Sequence, residues 1–266
     1  MPRFPGESEE NMKVSLGKRL RTSPSFDCIG TYPNWNDYSA TSREAIRRAK
    51  EIYYPSAVYE DLFQSIGKRV FPSNFYRLMG NKIRQSALFK LRGVPHPRTR
   101  LYYGRRRLWR ILQDFDLPLI AKTPVGSSQG SGVWLIQKEK ELTAYLKKHH
   151  PAYIQRYLPI DRDLRVVVIA GRVVHSYWRI QKSGDFRNNV SQGARISYLD
   201  IPHSALEFAV DVAKRCNFGE VGLDICLFEQ EYFVIEANMV YGLEGFRQAG
   251  LDIYEILADL DVKGLL

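Results

Sequence analysis

Leu223, Ile225 and Leu227 share one parity along the chain, and Phe233, Ile235 and Ala237 repeat it a few residues later. Successive side chains of a strand face opposite sides, so this period of two predicts a β-hairpin over 222–238 with one apolar face. If Glu229, Gln230 and Glu231 form a three-residue loop, Phe228 pairs with Tyr232. That register sets Asp224 opposite Glu236, with Asn238 one pleat further on. Like charges directly opposite on a ladder are destabilising. The pairing therefore predicts either a solvated acidic face or a bound cation, and oxygen donors of this kind suit Mg²⁺ or Mn²⁺ rather than zinc.

The rest of the pattern mixes helices and hairpins. Thr41 to Glu44 fits a capping box, followed by a helix through Glu51. A second helix spans 57–66 and stops at Gly67, and Val70-Phe71 reads as a short strand after the strand and turn of CIGTYPNW. These elements predict a small α/β leading domain over 26–78, preceded by a loose segment over 1–25. Residues 81–91 are helical, closed by Gly93 and Pro95, and a helix over 107–114 precedes the apolar strand LPLIAKT. VWLIQ is a further strand, 139–149 a helix, and 152–158 a strand ended by Pro159. LRVVVIAG and RVVHSYWRI form a hairpin turning at Ala170-Gly171. Helices follow over 204–216 and 252–260. Strands and helices do not alternate as in a doubly wound sheet, so the class predicted is α+β.

Composition narrows the function classes. A chain of 266 residues with 44% hydrophobic and 12% aromatic residues has ample material for a core. No apolar run approaches a membrane span, and the polar N-terminus lacks the apolar centre of a signal peptide. Cys28, Cys216 and Cys226 are scattered, with no CxxC pair and no histidine at ligand spacing. This argues against a disulfide framework or a zinc site and predicts a reducing, cytoplasmic setting. The net charge of +10 calls for an anionic partner: nucleic acid, nucleotide, phosphate or acidic peptide. The run Arg105-Arg106-Arg107 is short and reads as a solvated helix start.

Three stretches carry candidate chemistry. Gly126, Ser127, Ser128, Gln129, Gly130, Ser131 and Gly132 form a loop between two strands whose backbone N–H groups and hydroxyls can approach phosphate oxygens. It is neither a Walker A loop nor a dinucleotide fingerprint, because no GK[ST] follows and no helix succeeds it. Lys122, four residues earlier inside an apolar strand, calls for an anionic partner. Gln155, Arg156, Tyr157 and Leu158 end a strand at a proline, where free backbone groups can read a base edge, and Asp163 is placed to hold ribose hydroxyls. The loop Gly184 to Asn189, with Arg179 and Lys182 before it, offers Arg187 for phosphate and Asn189 for a phosphate oxygen or a metal.

In order and spacing these blocks resemble the ATP-grasp family, and within it the RimK-like alpha-L-glutamate ligases. The matching stretches are AKTPVGSSQGSGV, YIQRYLPIDRDLRVVVIAGRVV, GDFRNN, EVGLDICLF and IEAN followed by GLEG, from about Asn81 onward. The resemblance implies an ATP-grasp domain over 79–266, with a lid subdomain at 79–157 and a metal-binding, catalytic subdomain at 158–266 that grip ATP between them. It implies that Lys82 and Lys122 contact the nucleotide and that Gly126–Gly132 is a mobile flap. Gln155 to Leu158 become the adenine hinge, Asp163 the ribose-side acid, and Arg187 and Asn189 the loop contacts to phosphate and metal. Asp224, Glu236 and Asn238 become the ligands of Mg²⁺ or Mn²⁺, two ions being expected. Arg165 and Arg179, with Arg187, are the candidates to hold a carboxylate or an acylphosphate. The reaction implied joins a carboxylate to an amine through an acylphosphate, adding glutamate or another amino acid to a small-molecule, peptide or protein acceptor. The alternatives are a phosphotransferase of the same fold and a non-catalytic nucleotide- or nucleic-acid-binding module. Nucleic acid and membrane are not expected partners; an assembly of identical subunits is compatible with the sequence. Two stretches depart from the family. Met239-Val240-Tyr241-Gly242 stands where RimK-like enzymes carry a small-residue turn with proline, and Met1 to about Asn74 shows no match.

Overall fold

The computed structural model describes residues 12–126, 132–181 and 194–266. The chain forms two compact units, one made of 1–77 and 246–266 and the other of 78–245.

The first unit is built on a parallel four-stranded sheet. Its strands are β1 (Lys13–Ser15), β2 (Phe26–Cys28), β3 (Glu51–Tyr53) and β4 (Arg69–Phe71), in the order β2-β1-β3-β4. Helices α1 (Ala40–Arg48) and α2 (Glu60–Ser65) bring Ile46 and Phe63 to a core shared with Val14, Leu16, Ile52 and Val70. The cap of α1 is Ser39, whose side chain accepts from Ser42 N–H at 3.0 Å, two residues before the expected capping box. Of the loose segment expected over 1–25, the described part, 12–25, is corrected here, because it contains β1. A three-residue strand is too short for alternation to show, and both of its partners come from later in the chain. The expected C-terminal boundary also differs. Helix α7 (Ile253–Val262) belongs to this unit, where Asp261 accepts from Lys13 Nζ at 2.9 Å, from Ser23 Oγ at 2.6 Å and from Ser25 Oγ.

The second unit carries two antiparallel sheets. The first has the order β5-β8-β6-β7, from β5 (Thr99–Tyr102), β6 (Leu119–Lys122), β7 (Val133–Ile136) and β8 (Ala152–Arg156). Tyr102, Leu119, Ala121 and Ile154 pack with Ile111 of α4 (Arg107–Asp114) and Leu142 of α5 (Glu139–Lys148). The second sheet has the order β11-β10-β9-β12-β13, from β9 (Arg162–Ile169), β10 (Arg172–Ile180), β11 (Arg195–Ser197), β12 (Glu220–Phe228) and β13 (Glu231–Asn238). Residues 164–169 and 221–226 are buried at every position, so both faces of the sheet are covered there; the buried residues of α6 (His203–Arg215), Ala205, Ala209, Val212 and Ala213, face this sheet. Among the described residues no helix is long and apolar enough to cross a membrane.

Candidate active site

The hairpin of β12 and β13 pairs Asp224 with Glu236 and Gly222 with Asn238, the expected pairing reached by a different route. The turn has two residues, not three. Glu229 and Gln230 both take positive φ, +50° and +67°, and Phe228 pairs with Glu231 rather than Tyr232. These are the angles a tight two-residue hairpin requires. The register then shifts between Asp224 and Ile225, leaving Ile235 as a bulge; without it, Asp224 would face Ile235. The bulge also breaks the expected apolar face. Val234 is fully buried, whereas Leu227 is 51% exposed. At Gly222 a Cβ would lie 2.8 Å from Tyr241 Cβ, so only glycine lets the Met239–Gly242 turn fold back onto the strand.

Asp224 stands in a buried line of alternating charges. Its Oδ1 accepts from Arg165 Nε at 2.5 Å, and its Oδ2 from Arg179 Nη2 at 2.8 Å and Asn238 Nδ2 at 3.1 Å. Arg179 also donates from Nε and Nη2 to the two oxygens of Asp163, at 2.7 and 2.9 Å. Strand register produces this line, since Asp224 pairs with Arg165 across β12 and β9, and Arg179 with Asp163 across β10 and β9. All four side chains are buried. Burial pushes the Asp224 carboxyl up, but the two guanidiniums overcome it and hold its pKa below the ordinary carboxylate value. For Asp163, burial outweighs Arg179 and its pKa is raised. Burial alone would lower the pKa of Arg179, yet the two carboxylates raise it. Asp163, expected beside a ribose, thus has both oxygens on Arg179, and Arg165 and Arg179, expected on a substrate, hold protein carboxylates.

The lysines meet Glu236 from the other sheet and from α3 (Lys82–Leu91). Asn81 caps α3, accepting from Arg84 N–H at 3.0 Å, and Lys82 Nζ lies 2.8 Å from Glu236 Oε1. Lys122, buried at the end of β6, lines the same cavity together with Gln155, Tyr153 and His96. Burial drives its pKa from 10.5 to about 8; Glu236 opposes that and Lys82 adds to it. The base of the glycine loop is anchored beside Lys82. Gly126 N–H donates to Gly80 O at 3.0 Å, Lys82 N–H to Pro124 O at 3.0 Å, and Thr123 N–H to Gly132 O at 2.8 Å. Ser127 to Ser131 lie outside the described residues, as do Arg187, Asn189 and the whole Gly184–Asn189 loop.

At the expected hinge, Gln155 is buried and donates from Nε2 to Thr99 Oγ1 at 3.0 Å. The Arg156 side chain lies over the Phe228 ring, 5.5 Å from its centroid, Tyr157 is half-buried and Leu158 is buried. One contributor was not legible in the sequence. Gln85, buried on α3, donates from Nε2 to Ala237 O at 2.7 Å and accepts from Ala237 N–H at 3.3 Å. It clamps the backbone between Glu236 and Asn238. Only its place three residues after Lys82 hints at this. Tyr145 Oη similarly donates to Lys122 O at 2.7 Å and accepts from Tyr153 N–H at 3.0 Å.

The donor set fits a hard divalent cation. The ligating atoms of Asp224, Glu236 and Asn238 would all be oxygens; the Glu236 side chain is 24% exposed, while both Asp224 oxygens already accept from Arg165, Arg179 or Asn238. Among the described residues no group of three or more His, Cys, Asp or Glu is placed to hold a metal ion, so this set consists of two carboxylates and an amide.

Residues 79–260 match the family model described as the RimK-like ATP-grasp domain. Among curated proteins, the chain is 27% identical over 192 residues to the coenzyme gamma-F420-2:alpha-L-glutamate ligase of Methanococcus maripaludis, covering 69% of this chain and 66% of that protein. It is 28% identical over 177 residues to human beta-citrylglutamate synthase B, covering 63% of this chain and 46% of the relative. The chain thus spans less than two thirds of the length of these relatives. Among solved structures, the ATP-grasp ligase PsnB in complex with a minimal precursor, Mg and ADP aligns with a TM-score of 0.63 at 17% identity, covering 97% of this chain and 99% of that one. At that identity the likeness carries the fold, which is the α+β ATP-grasp fold.

Proposed function

This chain belongs to the RimK-like ATP-grasp family, and on that premise we propose that it is an ATP-dependent ligase joining a carboxylate to an amine, with glutamate or another amino acid as one substrate. The observation that carries the proposal is the convergence of Lys82, Lys122 and Glu236 on one cavity, with Glu236 set opposite Asp224 in the hairpin. The names of the relatives, glutamate ligases and a citrylglutamate synthase, support the substrate class.

Lys82 and Lys122 supply positive charge for the phosphates of ATP. Asp224, Glu236 and Asn238 would hold Mg²⁺ or Mn²⁺, which when bound offsets the charge of the triphosphate and eases attack by an anion. The substrate carboxylate oxygen attacks the γ-phosphorus, and the bond to the β-phosphate oxygen breaks to release ADP. The amine nitrogen then attacks the acyl carbon, inorganic phosphate leaves, and one proton is lost from nitrogen. Such a site needs positioning and charge rather than a covalent protein nucleophile. Asp163, Arg165 and Arg179 act here as a rigid support that fixes the Asp224 carboxylate. The adenine hinge at Gln155–Leu158, the flap at Gly126–Gly132 and the contacts of Arg187 and Asn189 belong to the same proposal.

A screen of amino acids and acidic peptides with MgATP, read by ADP release and by product mass, tests it. ADP, phosphate and amide are expected in equal amounts, and only when both carboxylate and amine are present. A product that gains a phosphoryl group and contains no new amide would overturn the ligase proposal in favour of phosphotransfer.

Lys122 gives the nucleotide step a pH signature. In the free protein its ammonium loses its proton near pH 8, and a bound polyphosphate raises that pKa. Binding should therefore take up a proton above about pH 8 and almost none at pH 7, and ATP affinity should decline as pH rises beyond 8. Calorimetry at pH 8.5 in buffers of different ionisation enthalpy measures the uptake; identical heats in all buffers would remove Lys122 from the phosphate site.

A further inference from the structure

The outer side of the β5-β8-β6-β7 sheet carries charge for which the cavity does not account. Leu119 and Ala121 of β6 and Ala152 and Ile154 of β8 pack toward α4 and α5, so by alternation Lys122 and Gln155 face the opposite side, where the cavity lies. The two helices are therefore separated from the proposed nucleotide site by the thickness of the sheet. Arg107 joins the start of α4 to the end of α5, donating from Nη1 to His149 O at 2.7 Å and from Nη2 to Leu146 O. This contact brings residues 103–113 and 142–151 onto one surface, and neither stretch contains an aspartate or a glutamate.

Five cations stand exposed there: Arg105, Arg106, Arg110, Lys147 and Lys148. None of the five forms an ion pair among the described residues; Asp114, the carboxylate nearest along α4, is taken by Arg100 at 2.9 Å and by Tyr102 Oη at 2.6 Å. Lys147 and Lys148 close α5, where the helix dipole favours them. Arg105, Arg106 and Arg107 open α4, at the end where the dipole disfavours cations, and no acidic residue in its first turn offsets them. In the sequence the arginine run reads as a solvated helix start; the fold sets a second basic run beside it and makes one positive field. The uncharged part of this surface is planar. Trp109 is 64% and Tyr103 55% exposed, and the ring of the exposed His150 lies 6.0 Å from that of Tyr103. The aliphatic side chains of both stretches, Leu108, Ile111, Leu112, Leu142 and Leu146, pack into the core beneath.

We propose that the α4–α5 surface binds single-stranded nucleic acid, with Arg105, Arg106, Arg110, Lys147 and Lys148 on the phosphates and Trp109 and Tyr103 stacked on bases. Guanidinium forks match phosphate oxygens, and every unpaired base offers a π-face to an exposed ring. An acidic peptide would use the cations and leave the rings idle. A bilayer would call for aliphatic side chains pointing outward, and here they point inward. A duplex keeps its bases stacked on one another, so it would engage the charges alone.

The test measures fluorescence anisotropy of short labelled single-stranded RNA and DNA oligonucleotides on the full chain, between about 50 and 200 mM salt. If about four phosphates are neutralised, log affinity should fall against log salt with a slope of about −3. The double variant Arg105→Ser, Arg106→Ser should weaken binding and flatten that slope by about one. Trp109→Ala should cost about fivefold or more in affinity while leaving the slope unchanged, because stacking releases no counterions. The same serine substitutions at Arg47 and Arg48, exposed on α1, remove equal charge elsewhere and should change affinity less than twofold. Melting temperatures of all variants confirm that each is folded. Tighter binding to a duplex than to a single strand, or no effect of W109A, overturns base stacking and with it the proposal. An equal fall in the Arg47, Arg48 control reduces the attraction to net charge and also overturns it. So does absence of binding at about 50 mM salt, or stronger retention by polyglutamate or by phosphatidylserine vesicles than by the oligonucleotides.

Discussion

Replacing Glu236 by glutamine is expected to cut ATP-dependent product formation by more than about a hundredfold while leaving the fold intact. Groups that merely support metal ligands cost about 10- to 100-fold when removed, so loss of a ligand should exceed that range. Glu236 is partly buried, sits opposite Asp224 and contacts Lys82 Nζ at 2.8 Å. Glutamine keeps the volume and an oxygen for Lys82, so thermal stability should change little, whereas alanine would remove the carboxylate that contacts the buried Lys82 and offsets the burial of Lys122. ADP release at saturating MgATP, with the melting temperature measured on the same sample, checks this. Activity within about tenfold of wild type would remove Glu236 from the metal site and with it the hairpin as the catalytic centre.

Replacing Asp224 by alanine is expected to destabilise the chain by about 3–5 kcal/mol, the usual cost of removing one partner from a buried ion pair. Its two oxygens serve Arg165 at 2.5 Å and Arg179 at 2.8 Å. Arg179 keeps Asp163 at 2.7 Å, whereas among the described residues the ion pair of Arg165 is the one with Asp224. The buried line of two positive and two negative groups would become one carboxylate short. Urea denaturation reads the loss directly. This outcome separates Asp224 from Glu236: a residue whose work is metal ligation alone loses activity without stability, whereas Asp224 should lose both. A loss below about 1 kcal/mol would mean that water reaches the guanidiniums and that the line is not a structural support.

Much of the second unit was legible because its signals are local. The hairpin turn at Ala170-Gly171, the helix closed by Gly93, the apolar strand ending in Lys122 and the 107–114 helix all follow from alternation, capping and backbone freedom within about ten residues of chain. The pairing of Asp224 with Glu236 was also reached, although through a three-residue loop that the structure replaces with a two-residue turn and a bulge at Ile235. The two differences cancel at Glu236, and the alternation could not tell them apart because Val234 and Ile235 are both apolar.

By itself, then, the sequence determined the α+β class, the family blocks from Asn81 onward, and which side chains carry charge into the site. Tertiary structure alone decided which charge meets which. Arg165 reaches Asp224 across 59 residues of chain and Gln85 reaches Ala237 across 152, contacts set by the register of β9 on β12 and by the packing of α3 on β13. The same holds for the three-residue strands β1 and β3, and for the placing of residues 246–266 with the first unit. Periodicity tells which face a side chain occupies, not what stands across from it. A partner is fixed only when remote strands come into register, and in a buried site that partner decides whether a charge supports the fold or stays free for a ligand.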